Sequence, residues 1–243
     1  MAIIFLFFLF YSKSAYFNYF WGFIALSVIL EAINIAGIKK KFEQCIFILF
    51  SYIMYFFPSL PMIEYFFLLT LVIIILKNSN YKEALSRISA AFFLTHYALL
   101  LRYGRSIINE KGALFFLSSI SLIWFYDIFA FYFGCRFGRH KIAPNISPKK
   151  SFEGFFAGIF FSTLASIVLI WYFLNSSLLL AIIMGILAGI LGHIGDIFES
   201  SWKRKASLKD SSNLIPGHGG IWDRVDGMIL LLPAYIFIIK LLS

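Results

Sequence analysis

Charged residues crowd into one short segment of an otherwise apolar chain. Nine ionisable residues lie between positions 200 and 226, with long apolar stretches on both sides. They are Lys203, Arg204, Lys205, Lys209, Asp210, His218, Asp223, Arg224 and Asp226. Charge beside a membrane is costly and usually marks a site. This mixture suits a metal-bound polyphosphate, because carboxylates hold the ion while cations contact phosphate oxygens.

Three carboxylates are spaced so that they can share an ion. Asp223 and Asp226 lie three residues apart at the start of an apolar segment, so a helix places them on one face. Asp196 lies near the end of the preceding apolar segment. We predict that the three bind Mg²⁺, which prefers oxygen ligands. Two simpler readings stay open, namely helix capping at the first pair and ion pairing of Asp196 with Lys203 or Arg204.

A glycine-rich turn precedes the last two aspartates. The sequence Pro216-Gly217-His218-Gly219-Gly220 permits positive φ and close backbone approach. Such backbone beside a helix start can present N–H groups to phosphate. The turn alone is weak evidence, and the neighbouring cations strengthen it.

Two upstream features point to the same chemistry. Asp127 is the one acidic residue of the apolar segment 113–133, and an intramembrane carboxylate is functional by default, although a structural partner would also explain it. Ser147, Lys149 and Lys150 lie in the basic segment 134–152, where they are candidates to hold a lipid phosphate. A basic loop that only orients the protein in the membrane is the alternative.

Composition predicts the framework that positions these residues. The chain of 243 residues is 61% hydrophobic and 14% charged, whereas a soluble domain has about 25% charged residues. We predict an all-α, polytopic membrane protein with one integral domain, 1–243, and eight or nine helices. The candidate spans are 1–12, 16–37, 43–58, 60–76, 88–103, 113–133, 153–174, 178–198 and 224–242. The first of these is interpreted as a retained membrane segment, not a signal peptide.

The basic residues predict the orientation. With nine spans and the amino terminus inside, 16 of the 21 Lys and Arg residues lie in cytoplasmic segments, as the positive-inside rule expects. Segments 134–152 and 199–223 then share the cytoplasmic face and can form one polar site. The net charge of +9 does not indicate nucleic acid, because these cations flank spans and meet lipid headgroups. Glu31 and Glu64, near apolar segments, receive no role.

Segment 200–226 resembles the signature of phosphatidate cytidylyltransferases, also called CDP-diacylglycerol synthases. The matching positions are Ser200, Lys203-Arg204, Lys209-Asp210, Pro216-Gly217-His218-Gly219-Gly220 and Asp223-Arg224-Val225-Asp226. Trp202 departs from the pattern, since the family usually has an aliphatic residue or Phe there.

A second block extends the resemblance upstream. It comprises Asp127, Ala130, Gly134 and Gly138, then 147–154, and then Gly195-Asp196 with Glu199-Ser200. Phe131 and Ser151 stand where Tyr and Thr are more usual. The resemblance is sharp over 127–226. Residues 1–112 match only as variable hydrophobic helices, which leaves 113–243 as the catalytic helices and loops.

The resemblance implies an integral enzyme that joins CTP to phosphatidic acid, giving CDP-diacylglycerol and pyrophosphate in phospholipid biosynthesis. It further implies Mg²⁺ as the metal ion, with K⁺ as an ion that can accompany it. It also implies a homodimer that crosses the inner (plasma) membrane several times and has a site facing the cytoplasm. The predicted catalytic residues are Asp196, Lys203, Arg204, Lys209, Asp210, Asp223, Arg224 and Asp226. The predicted substrate-binding residues are Asp127, Ser147, Lys149, Lys150, Glu153, Ser200, His218, Gly219 and Gly220. The predicted metal ligands are Asp196, Asp223 and Asp226.

Two other functions stay open from the sequence. A CTP-dependent polyprenol or phytol kinase also pairs a nucleotide with a membrane lipid, but it phosphorylates an alcohol. A transporter or channel shares the composition and an intramembrane carboxylate. Transport sites lie near the membrane midplane, however, whereas these charges cluster at one face.

Overall fold

The computed structural model describes residues 15–38, 41, 44, 45, 48, 49, 103–144, 146–214 and 219–242. The helices in these ranges are α1 (Ala15–Ile35), α2 (Tyr103–Lys111), α3 (Ala113–Phe137), α4 (Phe152–Ser166), α5 (Leu178–Lys205) and α6 (Trp222–Leu242). A π-helical segment, Ile167–Phe173, continues α4. Two short strands, β1 (Lys141–Ala143) and β2 (Ser147–Ser151), lie between α3 and α4.

Four of the described helices are long and apolar enough to cross a membrane. They are α3, α4 with its π-helical continuation, α5 and α6, with mean hydropathies of 1.8 to 2.3. This confirms a helical membrane protein. The predicted spans 1–12, 43–58, 60–76 and 88–103 lie wholly or mostly outside the described residues, so a total of eight or nine spans stays a prediction.

Two polar segments that were predicted as connections are helical. Residues 104–112 largely form α2, because Ile107 and Ile108 give this polar segment a buried face. Helix α5 runs through Lys205, beyond its predicted end at 198. The pair Glu199 and Lys203 supports these added turns, since residues four apart face each other on a helix.

The connection between α3 and α4 is a β-hairpin, a local exception to the predicted all-α fold. Strands β1 and β2 pair antiparallel, with Lys141 opposite Ser151. The Phe152 N–H donates to the His140 carbonyl at 2.9 Å and closes the hairpin. Ser151 then caps α4 by accepting from the Gly154 N–H at 3.3 Å. The basic loop is therefore fixed at both ends.

Small residues bring the helices into close contact. A Cβ at Gly154 of α4 would collide with the Ala130 carbonyl oxygen of α3. On α5, a Cβ at Gly195 would lie 2.6 Å from the Asp226 carbonyl oxygen of α6. Small residues are common where membrane helices pack, because they let backbones approach. The close approach of α5 and α6 falls where both helices carry aspartates.

Helix α1 belongs to the same packed core. The Trp21 ring meets Phe116 of α3 edge to face, with centroids 5.5 Å apart. Val28, Ile29 and Ala32 are fully or almost fully buried. Helix α1 also contacts α6, so its polar residues lie within reach of the start of α6.

Candidate functional site

Carboxylate oxygens converge where α5 meets α6. Asp196 and Glu199 lie three residues apart on α5, and Asp226 lies in the first turns of α6. One oxygen from each residue lies within 4.8 Å of the other two. Such proximity of like charges is unfavourable without a cation.

The donor set fits a divalent ion. Glu199 is 1% exposed, and its Oε1 atom has no hydrogen-bond partner in the described part of the chain. A buried acceptor without a donor is costly, and coordination of an ion would satisfy it. Hard cations such as Mg²⁺ prefer carboxylate oxygens. Asp196, Glu199 and Asp226 are therefore the residues that would hold the metal.

Two lysines flank this carboxylate cluster. Lys150 Nζ from β2 lies 2.5 Å from Asp196 Oδ2. Lys203 Nζ lies 3.0 Å from Glu199 Oε2 and 2.5 Å from Asp223 Oδ1. The two ammonium groups offset part of the negative charge, and they supply donors of the kind that bind phosphate.

Asp223 was predicted to bind metal, but its carboxylate contacts protein donors. Besides pairing with Lys203, it accepts from the Ser211 N–H at 3.0 Å and the Gly220 N–H at 2.7 Å, both at Oδ2. The Ser211 hydroxyl lies 2.9 Å from the same oxygen. Protein donors thus occupy Asp223, and Glu199 takes the third place in the cluster. A metal role for Asp223 stays a prediction that this geometry does not favour.

Sequence reasoning missed Glu31, which is almost fully buried on α1 at 1% exposure. Its carboxylate accepts from the hydroxyls of Ser211 at 2.6 Å and Ser212 at 2.7 Å. It also accepts from the N–H groups of Ile221 at 2.9 Å and Trp222 at 2.8 Å. A charge inside an apolar span was the available signal.

The glycines of the predicted turn make room for these carboxylates. Gly219 has φ +82°, a conformation that favours glycine. A Cβ at Gly220 would collide with Ser211 Oγ and lie 2.5 Å and 2.7 Å from the two Glu31 carboxylate oxygens. His218 lies outside the described residues. Phosphate binding by this turn stays a prediction.

Of the other predicted residues, Ser200 contacts the cluster directly and Glu153 bonds a residue of the hairpin connection. The Ser200 hydroxyl donates to Asp196 Oδ1 at 3.2 Å. Glu153 holds the hairpin, because its Oε1 atom lies 2.7 Å from His140 Nδ1. Asp127 interacts electrostatically with both Asp196 and Asp226. Ser147 is partly exposed, and the exposed side chains are Asp127, Lys149, Arg204, Lys209, Asp210 and Arg224.

A buried pair of aromatic residues supports α5 one turn before Asp196. His193 is 7% exposed, and its Nδ1 atom lies 2.7 Å from the Tyr126 hydroxyl of α3. The Phe155 ring of α4 packs beside the imidazole, with centroids 4.9 Å apart. These contacts fix α5 against both neighbours close to the cluster.

Fold and site together define a helical membrane protein with a carboxylate cluster between two lysines. A sequence profile of the Cytidylyltransferase family matches residues 1–242, so the chain belongs to that family. This confirms the family resemblance.

Curated relatives resemble about half of the chain. A phosphatidate cytidylyltransferase of Staphylococcus epidermidis is 38% identical over 126 residues, which are 51% of this chain and 48% of the relative. Proteins of the same name from Staphylococcus haemolyticus and Staphylococcus aureus are 37% and 36% identical over 126 and 127 residues, with the same coverage. The chain thus aligns with about half the length of these relatives.

Proposed function

We propose that this protein transfers the cytidylyl group of CTP to phosphatidic acid, giving CDP-diacylglycerol and pyrophosphate. The observation that carries the proposal is the convergence of Asp196, Glu199 and Asp226 beside Lys150 and Lys203. Both substrates are phosphate anions, which such a site suits. Family membership and the names of the relatives support the same reaction.

The reaction needs no protein nucleophile. A phosphate oxygen of phosphatidic acid attacks the α-phosphorus of CTP and forms the new P–O bond. The bond from that phosphorus to the β-phosphate oxygen breaks, and pyrophosphate leaves with the electron pair. Catalysis then rests on positioning and on neutralising charge. A bound Mg²⁺ would supply much of that neutralisation.

The chain's own residues bind and orient the two substrates in this proposal. Lys203, with Arg204, Lys209 and Arg224, contacts phosphate oxygens of the triphosphate or the lipid. Ser147, Lys149 and Lys150 serve the phosphatidic acid side, and Lys150 reaches the cluster through Asp196. Asp127 and Asp210 orient the cations.

The setting of the enzyme is part of the proposal. Mg²⁺ is the proposed ion, with K⁺ as an accompanying one, and the protein forms a homodimer. It resides in the bacterial plasma membrane with the site facing the cytoplasm. The excess of basic residues in segments 134–152 and 199–223 supports this orientation.

The test is a product assay with purified protein in detergent. CTP labelled at the α-phosphate is incubated with phosphatidic acid, with and without Mg²⁺, and lipids are separated by chromatography. We expect Mg²⁺-dependent labelled CDP-diacylglycerol, lost in Asp226→Asn and kept in Glu110→Gln, a change at an exposed residue of α2.

Two results would contradict the proposal. Label transferred from the γ-phosphate of CTP to a polyprenol or phytol, without CDP-diacylglycerol, would indicate a lipid kinase. Folded protein that does not bind CTP would indicate a transporter.

A further inference from the structure

Glu31 joins three segments that are distant in the sequence. It lies on α1, and its partners are the hydroxyls at 211 and 212 and the amides that lead into α6. We propose that Glu31 is a positioning residue, which holds residues 211–212 and 220–222 so that Asp223 and Lys203 are oriented toward the cluster. The inference rests on the proposed function, although its structural part has its own test.

The first argument concerns charge. Burying a carboxylate is costly unless donors compensate it. Among the described residues, the partners of Glu31 are four N–H and O–H donors. Two of these are the Ile221 and Trp222 amides at the amino end of α6, where the helix dipole also favours negative charge. Glu31 therefore caps α6 from another helix.

The second argument is a continuous series of contacts to the cluster. Ser211 Oγ lies between Glu31 Oε2 at 2.6 Å and Asp223 Oδ2 at 2.9 Å, and its single proton bonds one of them at a time. Asp223 pairs with Lys203, which pairs with Glu199. Glu31 thus acts through other residues and touches no cluster carboxylate in this series.

The third argument is the shape of the segment. Any side chain at Gly220 would occupy space next to both Glu31 oxygens and Ser211 Oγ. The backbone at Gly220 follows the carboxylate closely, so the position of Glu31 determines where the backbone enters α6. In a Glu31→Gln variant, the side-chain NH₂ group would face backbone N–H donors. Two donors cannot bond each other, so the backbone at this position would shift away.

The test compares Glu31→Gln and Ser211→Ala, with Glu110→Gln as the control because Glu110 is exposed. We expect Glu31→Gln to lower kcat about 10- to 100-fold with a smaller change in KM. Mn²⁺ affinity, measured without substrates, should fall about tenfold, as for groups that orient metal ligands. Amide exchange at 211–223 should quicken about tenfold, while that of α3 and α4 stays unchanged.

A double-mutant cycle tests the connection through Ser211. Both residues act along one series of contacts. The double variant Glu31→Gln/Ser211→Ala should therefore have the same activity as Glu31→Gln alone. The Glu31→Asp variant should restore part of the activity. Independent, additive losses would overturn the proposal.

Other outcomes separate positioning from general stabilisation. Faster exchange in every helix with a lowered Tm would assign Glu31 to overall folding and overturn the proposal, and so would unchanged exchange at 211–223. If the wild-type protein makes no CDP-diacylglycerol, the proposed function fails. Local exchange and Mn²⁺ affinity then still decide whether Glu31 positions the segment.

Discussion

Two groups of carboxylates lie side by side in this protein and differ in their partners. Glu31 and Asp223 accept hydrogen bonds from backbone amides and hydroxyls. In the cluster of Asp196, Glu199 and Asp226, the oxygens converge, and Glu199 Oε1 has no donor in the described part of the chain. The first group is satisfied by protein and holds a segment in place. Protein donors also contact Asp196 in the second group, but its oxygens converge and Glu199 Oε1 is left for an ion.

Lys203 connects the two groups. Its ammonium bonds Glu199 on one side and Asp223 on the other. The side chain is 9% exposed, so its charge is offset mainly by these carboxylates. The Lys203 ammonium, a group of the kind that binds phosphate, therefore lies between Asp223 and the carboxylate cluster.

The largest expected effect is at the cluster. Asp226→Asn removes one converging charge, and we expect activity to fall about 1000-fold because metal ions contribute several kcal/mol to such reactions. The measurement is the rate of CDP-diacylglycerol formation at saturating Mg²⁺. An Asp226→Asn protein within about tenfold of wild type would contradict a metal role for the cluster.

Next in size is the loss of the connecting cation. Lys203→Gln leaves Glu199 and Asp223 without their shared partner, so we expect about 3 kcal/mol of lost stability and about 100-fold lower activity. Thermal unfolding in detergent and the product assay measure the two effects. Lys205→Gln is the matched control, because Lys205 is exposed and lies over the Trp202 ring. Equal losses of stability and activity in the two variants would contradict a connecting role for Lys203.

A smaller effect is expected where α5 meets α6. Gly195→Ala places a methyl group against the Asp226 carbonyl, so we expect about 1–3 kcal/mol of destabilisation and reduced Mn²⁺ affinity. At Gly192, one turn earlier, the nearest neighbour of a Cβ is an Ile123 methyl at 3.9 Å. Gly192→Ala should therefore keep wild-type stability. If Gly195→Ala were equally silent, close helix contact would not position the cluster.

The smallest effect is expected at the hairpin. Glu153 bonds exposed His140, and exposed pairs contribute little, so Glu153→Gln should change kcat/KM less than about threefold. The measurement is the rate of CDP-diacylglycerol formation at low and at high phosphatidic acid concentration. A rise in KM for phosphatidic acid of about tenfold or more would instead support the predicted substrate-binding role.

The sequence predicted the parts that depend on local pattern. Long apolar runs predicted the membrane helices, and the positions of Asp196 and Asp226 at the facing ends of two such runs predicted that both aspartates share one site. It did not predict that Glu199 joins them in place of Asp223, because donors from 211 and 220 decide which oxygens stay available. Glu31 was missed for the same reason, since its partners lie about 180 positions further along the chain.

The most direct measurement is Mn²⁺ binding to the purified protein, followed by electron paramagnetic resonance without substrates. It compares wild type with Glu199→Gln and Asp223→Asn. We expect Glu199→Gln to weaken Mn²⁺ about 100-fold or more and Asp223→Asn only about tenfold, because Asp223 reaches the cluster through Lys203 and protein donors occupy its carboxylate. Loss of binding in Asp223→Asn with wild-type binding in Glu199→Gln would contradict the division between the two carboxylate groups.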